Sequence, residues 1–177
     1  MHLLPKKVIS AERAIALLRV GTPLEDCYVK GVLEIIGKDD WSKPIHISHC
    51  LLEGLVCSVT QFVETVSFSN TYFQKCELIF SCFLRGLIIE NCTFDSSLDL
   101  QAGGHNEIEY PVRIWNNTFL GFVNFFDCWY TGKVSICRND FVKGTNIASK
   151  NQLITFDFLP ELLDNSGRLD IEAEFAD

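Results

Sequence analysis

A short pattern recurs about every 21 residues along this chain, and it constrains the fold more than any other feature. In each copy, two apolar residues alternate with other residues, and a small residue and then a large apolar anchor follow. Repeats of this length are typical of solenoids, and alternation with period two indicates strands rather than helices. The anchors are Leu52, Phe73, Phe94, Phe119 and Phe141, which are separated by 21, 21, 25 and 22 residues.

A single coil cannot bury its own apolar side chains, so coils are expected to stack and equivalent residues to form columns. The sequence therefore predicts an all-β, right-handed parallel β-helix of about 5–6 coils of about 21 residues. With a degenerate first copy, the anchor column is Val29, Leu52, Phe73, Phe94, Phe119 and Phe141. The column five residues earlier is Leu24, Ile47, Phe68, Ile89, Ile114 and Ile136. A further column, Asn70, Asn91 and Asn116, is expected to form a ladder of side-chain amides between coils.

Both ends of a solenoid need covers, because an open coil exposes its core and its strand edges. We expect a single domain over residues 1–177, in which residues 1–23 form an N-terminal helical cap. Ser10 is a suitable N-cap for a helix over residues 11–20. Coils are expected over residues 24–158. An acidic C-terminal cap or tail then follows over residues 159–177, with a short helix beginning near Pro160.

Large apolar residues also recur every five positions, each with a small residue two positions before it. The pairs are Cys50/Leu52, Thr60/Phe62, Thr71/Phe73, Cys76/Leu78, Ser81/Phe83 and Cys92/Phe94. Over about residues 24–148 this pattern resembles the pentapeptide-repeat family. After Phe94 the spacing breaks, because Asp99, Asn124 and Asn146 stand where an inward apolar residue is expected. That second half is more similar to the pectate-lyase-like class of β-helix.

Some pentapeptide-repeat proteins imitate the charge of DNA and bind topoisomerases, so the resemblance implies inhibition of a DNA-handling enzyme as one candidate function. The chain has a formal net charge of −8. Residues 161–177 carry a net charge of −5 and residues 1–160 only −3, so the coils are nearly neutral. This distribution argues against DNA mimicry along the coils. The lack of a basic stripe argues against direct nucleic-acid binding.

The cysteine content indicates the expected compartment. No apolar stretch reaches the length of a transmembrane helix, and the first residues lack the features of a signal peptide, so we expect no membrane association. The eight cysteines are then expected to be reduced thiols in the cytoplasm. They are not paired at the short spacings of zinc sites, so we expect buried small residues and neither a metal nor a cofactor.

The 25-residue interval marks a candidate binding site, because loops thrown out from a solenoid wall often carry binding groups. The extra residues are assigned to the segment 101–111, where Gly103 and Gly104 permit a sharp excursion. Trp115 is expected to point outwards beyond this loop. The alternative is that Trp115 packs under the loop and that His105 is merely solvated. The candidate surface comprises His105, Asn106, Glu107, Tyr110, Trp115, Trp129 and Tyr130.

The sequence favours a non-enzymatic repeat scaffold that binds a protein partner or associates with itself. No catalytic motif is present, and Glu90, Arg113 and His105 form only a loose trio. The alternative is a small carbohydrate-binding or carbohydrate-processing β-helix that uses Trp115, Tyr110, His105 and Glu90. A polysaccharide enzyme would be expected to present several carboxylates on one wall.

Overall fold

The computed structural model describes residues 7–37 and 40–172, and it shows a parallel β-solenoid of about seven coils. Equivalent residues of neighbouring coils lie about 22 positions apart. The predicted all-β parallel helix is confirmed, but the predicted number of coils is too low. Strands at both ends join the stack: Leu24–Glu25 pairs with Ile45–Ser48, and Glu161–Leu163 pairs with Val134–Cys137.

Each coil contributes strand segments to four walls, which we number in chain order. The first wall comprises Leu24–Glu25, Ile45–Ser48, Val66–Ser69, Leu87–Glu90, Val112–Trp115, Val134–Cys137 and Glu161–Leu163. The long strands Cys27–Ile36 and Leu51–Ser58 run through both the second and third walls. The second wall continues with Tyr72–Phe73, Thr93–Phe94, Thr118–Phe119 and Asp140–Phe141, and the third with Cys76–Ile79, Leu98–Asp99 and Val123–Asn124. The fourth comprises Gln61–Phe62, Cys82–Phe83, Trp129–Tyr130 and Thr155–Phe156.

The two predicted apolar columns form the core. All twelve residues in them are buried, because each wall turns alternate side chains inwards and the next coil covers them. The anchors also stack as rings, with 4.9 Å between the centroids of Phe73 and Phe94 and 5.0 Å between those of Phe119 and Phe141. Each such pair contributes about 0.5–1.5 kcal/mol beyond its buried area.

The amide ladder exists, but one position along the chain from the predicted column. Nδ2 of Asn117 donates to Oδ1 of Asn139, and Nδ2 of Asn139 donates to Oδ1 of Asn165, both at 3.0 Å. The predicted residues instead occupy the corner between the first and second walls. There Asn70, Asn91 and Asn116 have φ of 50°, 55° and 56°. Asparagine tolerates this left-handed conformation better than most residues, which explains its recurrence at that corner.

The break in the five-residue spacing comes from one extra residue at the corner between the second and third walls. Phe73 and Cys76 are separated by two residues, whereas Phe94 and Leu98 are separated by three, yet Leu98 pairs in register with Cys76. Val123 continues the same column. The insertion therefore turns Asp99 and Asn124 outwards and leaves the architecture unchanged.

The predicted N-terminal helix is confirmed over Ala11–Arg19, with Ser10 as its N-cap. Oγ of Ser10 accepts a hydrogen bond from the backbone nitrogen of Arg13 at 3.3 Å. Buried Ala14 and Leu18 seat the helix against the first coil. Just before the helix, Lys7–Ser10 forms a strand that the sequence did not predict. It pairs in parallel with Cys27–Ile36. Residues 1–6 of the predicted cap lie outside the described residues.

At the other end, the short helix predicted near Pro160 is wrong, because Glu161–Leu163 is a strand of the first wall. The segment beyond it stays on the stack, since Asn165 extends the ladder and Ile171 N donates to Thr145 O at 3.0 Å. Residues 173–177 of the predicted cap or tail lie outside the described residues. In the described part of the chain, no helix is long and apolar enough to cross a membrane.

Candidate interaction surface around Trp115

The segment 101–111 is a folded part of the solenoid wall. Gly104 bridges Cys82 in the preceding coil and Trp129 in the next, so it occupies a strand position of the fourth wall. Its φ is 105°, and a Cβ at this position would collide with the carbonyl oxygen of Trp129. Only glycine fits there. The excursion therefore begins after Gly104 and ends before Val112, where the next strand of the first wall begins. The segment from Gly104 to Val112 is three residues longer than the equivalent segment from Cys82 to Leu87 in the preceding coil.

Asn106 is buried and holds this excursion against the next coil. Its Nδ2 donates to the carbonyl oxygen of Tyr110 at 2.8 Å and to that of Lys133 at 3.4 Å. Its Oδ1 accepts from Gly132 N at 3.4 Å, and its carbonyl oxygen accepts from the Thr131 hydroxyl. These bonds satisfy a polar side chain inside the core. Asn106 therefore shapes the surface from below.

Three other predicted residues lie on the fourth wall. Tyr130 is buried against Phe156, with ring centroids 5.4 Å apart, and its burial raises the pKa of its hydroxyl well above the usual value. Its neighbour Trp129 is 47% exposed, and its Nε1 donates to Oδ1 of Asp157 at 3.0 Å. The ring of His105 lies 5.8 Å from that of Trp129. Half-buried His105 and exposed Trp129 thus form a pair of rings on this wall.

Tyr110 and Glu107 lie at the turn from the fourth wall to the first. The guanidinium of Arg85 lies 5.6 Å from the Tyr110 ring centroid. Nη1 of Arg85 also contacts both carboxylate oxygens of Glu64 at 2.9 and 3.0 Å, which raises the pKa of the arginine further. Glu107 is exposed, and its carbonyl oxygen accepts from Tyr110 N at 2.9 Å. The predicted surface is therefore divided between the fourth wall, this turn and the first wall.

Trp115 lies half-buried on the outer face of the first wall, in register with Glu90 and Cys137. Its Nε1 donates to Oγ of Ser135 at 2.8 Å, and that hydroxyl donates to Oε2 of Glu161 at 2.6 Å. The guanidinium carbons of Arg113 and Arg138 lie 5.5 and 5.7 Å from its ring centroid, within the range of cation–π attraction. The indole is therefore held in one orientation.

A groove of about 470 Å³ opens beside Trp115, where the fourth wall turns into the first. Phe158 and Leu159 form one side of it, and they are 40% and 97% exposed. An isolated exposed apolar residue is ordinary, but several around one groove commonly mark a contact surface. The lining residues are Pro111, Arg113, Trp115, Lys133, Val134, Ser135, Phe158, Leu159 and Glu161. We call this set the Trp115 groove.

The sequence missed most of the Trp115 groove, because it assigned residues 159–177 to a cap or tail. Once Glu161–Leu163 is placed as the seventh strand of the first wall, Glu161 aligns with Ser135 and Leu163 with Cys137. Glu161, Leu162 and Leu163 do not alternate in polarity, so the period-two pattern of the other strands did not reveal this one. Arg113 and Ser135 are neighbours in one outward column of the first wall.

The potentially reactive groups do not converge on one point. Glu90 aligns with Trp115, and Arg113 with Ile88 in the neighbouring outward column of the first wall, whereas His105 packs on Trp129 of the fourth wall. All eight cysteines are free thiols, and seven are buried. Burial raises the pKa of Cys50, Cys92 and Cys128 to about 12. Over residues 7–37 and 40–172, no three His, Cys, Asp or Glu side chains are grouped to hold a metal ion.

No protein-family model, curated protein or solved structure matches the chain. The candidate site therefore rests on the fold and on the geometry of its own residues.

Proposed function

We propose that this protein is a non-enzymatic repeat scaffold of the cytoplasm that binds a protein partner through the Trp115 groove. One observation carries the proposal: an orientated Trp115, flanked by Arg113 and Arg138, borders a groove with exposed Phe158 and Leu159. Tryptophan and arginine are enriched among the residues that dominate protein–protein binding energy. Pre-orientation lowers the entropy lost when such a side chain is immobilised in a complex.

A protein partner suits this groove better than a saccharide. Sugars stack on open aromatic faces, whereas two guanidinium groups lie within 6 Å of the Trp115 ring. Tyr110 and His105, which the carbohydrate hypothesis also requires, lie at the turn and on the fourth wall. Exposed Phe158 and Leu159 favour an apolar counterpart. Saccharide binding is the alternative, and tryptophan fluorescence tests it.

The surroundings of the groove also weigh against inhibition by DNA mimicry. Arg113, Lys133 and Arg138 lie in or beside it, with Glu161 as the acidic lining residue. A surface of this composition does not imitate a polyanion. The pentapeptide-like spacing of the first coils supports kinship with that repeat class, and we propose it at the level of architecture. Self-association is one form that the proposed interaction can take.

Affinity purification from source cells, with quantitative mass spectrometry, tests the proposal. The baits are the wild type, Leu159→Asp and Val142→Asp. Val142 is a matched control, because it is also an exposed apolar residue but lies at the corner between the second and third walls. We expect a partner that the wild type and Val142→Asp enrich and that Leu159→Asp loses. The purified pair should then bind in calorimetry, with affinity reduced about tenfold or more by Arg113→Glu.

Two results would contradict the proposal. The first is a partner retained equally by all three baits, which would place the contact elsewhere. The second is saccharide-dependent quenching of tryptophan fluorescence that Trp115→Phe abolishes, which would favour the carbohydrate alternative. Light scattering of the three purified proteins distinguishes self-association from a heterologous complex.

A further inference from the structure

The corner between the third and fourth walls carries apolar residues in a conformation that disfavours them. Val59 has φ of 53° and Phe80 of 51°, both in the left-handed region, and the same corner column continues with left-handed Ala102, Asp127 and Leu153. There Cβ crowds the backbone carbonyl, and β-branched residues are the least tolerant. Val59 is 58% exposed and Phe80 49%, so burial does not compensate for this strain.

The opposite corner shows what this conformation ordinarily selects. Between the first and second walls the left-handed residues are Asp26, His49, Asn70, Asn91, Asn116, Arg138 and Asp164. All seven are polar, and asparagine, aspartate and histidine are the residue types that tolerate this region best after glycine. Retention of Val59 and Phe80 at an equivalent backbone position therefore needs a reason beyond the fold.

These two residues belong to an apolar strip that Ser58 interrupts. Ile36, Ser58 and Ile79 pair in register on the outer face of the third wall, and Ile36 is 63% exposed. Val59 and Phe80 follow Ser58 and Ile79 directly, and Val59 N donates to Ile79 O at 3.3 Å. We call Ile36, Val59, Ile79 and Phe80 the apolar ridge. It spans three coils, or about 10 Å along the solenoid axis.

Acidic side chains border the apolar ridge on both sides. Along the third wall, Glu34, Val56, Glu77 and Asp99 occupy one outward column in register. On the fourth wall, Oδ1 of Asp40 accepts from Nε2 of Gln61 at 3.0 Å. Two bases lie here: Lys75 is 2.9 Å from a carboxylate oxygen of Glu77, and Arg19 lines a pocket together with Ile36 and Asp40. The rim therefore has a net negative charge.

We propose that the apolar ridge docks an amphipathic helix of a partner protein that has basic residues beside its apolar face. An α-helix advances about 5.4 Å per turn, close to the spacing of about 4.8 Å between coils, so its successive apolar residues match successive rows of the ridge. Basic flanks complement Glu34, Glu77 and Asp40. A second copy of this chain would bring two acidic rims together, which disfavours that occupant.

The apolar ridge lies at the corner between the third and fourth walls, and the Trp115 groove lies where the fourth wall turns into the first. Each surface can therefore be tested without the other. The probe is a labelled peptide of about 18 residues with leucines at helical spacing and lysines on both flanks. Two control peptides accompany it. One has the same amino-acid composition but no helical spacing of its leucines, and the other keeps that spacing but has glutamate in place of every lysine. We expect the first peptide alone to bind in fluorescence anisotropy, and its affinity to fall with added salt.

The decisive variant is Val59→Asn/Phe80→Asn, which removes the apolar surface but suits the left-handed backbone. We expect it to weaken binding of the basic helical peptide about tenfold or more, while its melting temperature stays equal or rises. Glu34→Lys/Glu77→Lys should also weaken that peptide, whereas Leu159→Asp in the groove should not. Equal binding to wild type and the Asn variant would overturn the proposal. So would equal binding of the non-helical control, or a wild-type dimer that the Asn variant dissociates.

Discussion

The side-chain amide of Asn117 donates to Oδ1 of Asn139 at 3.0 Å, and the backbone N–H of Asn117 donates to the same oxygen at 3.0 Å. Asn139 in turn donates to the carbonyl oxygen of Ile114 at 2.7 Å and to Oδ1 of Asn165 at 3.0 Å. One buried side chain thus joins three coils. Such a network rigidifies a core when every member is satisfied.

Asn139→Ala should destabilise the fold by about 3 kcal/mol, because it leaves several buried donors and acceptors without partners at about 1–3 kcal/mol each. Urea unfolding followed by circular dichroism measures this change. Asn91→Gly is the matched control, since Asn91 is exposed with φ of 55° and should change stability by less than about 0.5 kcal/mol. Equal effects of the two variants would show that the ladder contributes little.

Gly104→Ala should destabilise the protein by about 3 kcal/mol, because the added Cβ is strained at φ of 105° and collides with the Trp129 carbonyl oxygen. Gly21→Ala separates the two causes. Gly21 has φ of 79°, but the nearest atom to its Cβ would be Cδ of Lys43 at 3.7 Å, so only strain of about 1 kcal/mol is expected. Thermal unfolding of both variants checks the difference, and a Gly104 variant as stable as wild type would contradict the packing described.

Asp99→Asn should stabilise the protein at pH 7. Partial burial raises the pKa of the Asp99 carboxyl above its ordinary value, so the folded state disfavours the charged form at neutral pH. The wild type should therefore gain stability as the pH falls through the raised pKa, and the Asn variant should lack this gain. The amide oxygen retains the hydrogen bonds from Gln101 N and from Nδ2 of Asn124, both 3.0 Å in the wild type.

Urea unfolding of wild type and Asp99→Asn over a series of pH values from 7 downwards measures this contribution. Exposed Glu109→Gln controls for the loss of one negative charge. A variant that is less stable than wild type at pH 7, or a difference that does not shrink as the pH is lowered, would mean that Asp99 is stabilised in its charged form.

Cys82 should be the first thiol to react with a water-soluble disulfide reagent at pH 8. It is half-buried, whereas the other seven cysteines are buried. Reaction requires the thiolate, and a pKa of about 12 leaves Cys50, Cys92 and Cys128 almost wholly protonated. Cys82→Ser should remove the fastest phase of thiol modification, and the other seven cysteines should react only as the protein unfolds. A fast phase that persists in this variant would place the exposed thiol elsewhere.

Columns of residues that a local pattern specifies were predictable. The period of the chain placed Phe94 over Phe73 and Ile114 over Ile89, because every coil must present the same inward positions to its neighbour. The helix beginning after Ser10 followed from a capping residue and helix formers. Both inferences use contacts between near neighbours in sequence or between exact repeats.

The candidate site was less predictable, because its parts come from different coils and from positions where the repeat is irregular. Trp115 was correctly placed facing outwards, but its partners Ser135 and Glu161 become visible only when the seventh coil is in register. Asn106 belonged to a segment that looked like a surface loop. A buried amide and an exposed one look alike in a sequence, and only the contacts of Asn106 with Tyr110 and with Thr131, Gly132 and Lys133 of the next coil show that it is buried.

By itself, the sequence determined that the chain forms a parallel stack of coils, because spacing and polarity decide which residues each coil must bury. The tertiary structure decided which asparagine column forms the ladder. A shift of one position separates buried Asn117 from left-handed Asn116 at the corner. It also decided that exposed Val59 and Phe80 occupy strained backbone, since φ at a corner depends on how two walls meet. The period specifies the repeating interior, whereas the surface depends on corners and insertions that the period does not encode.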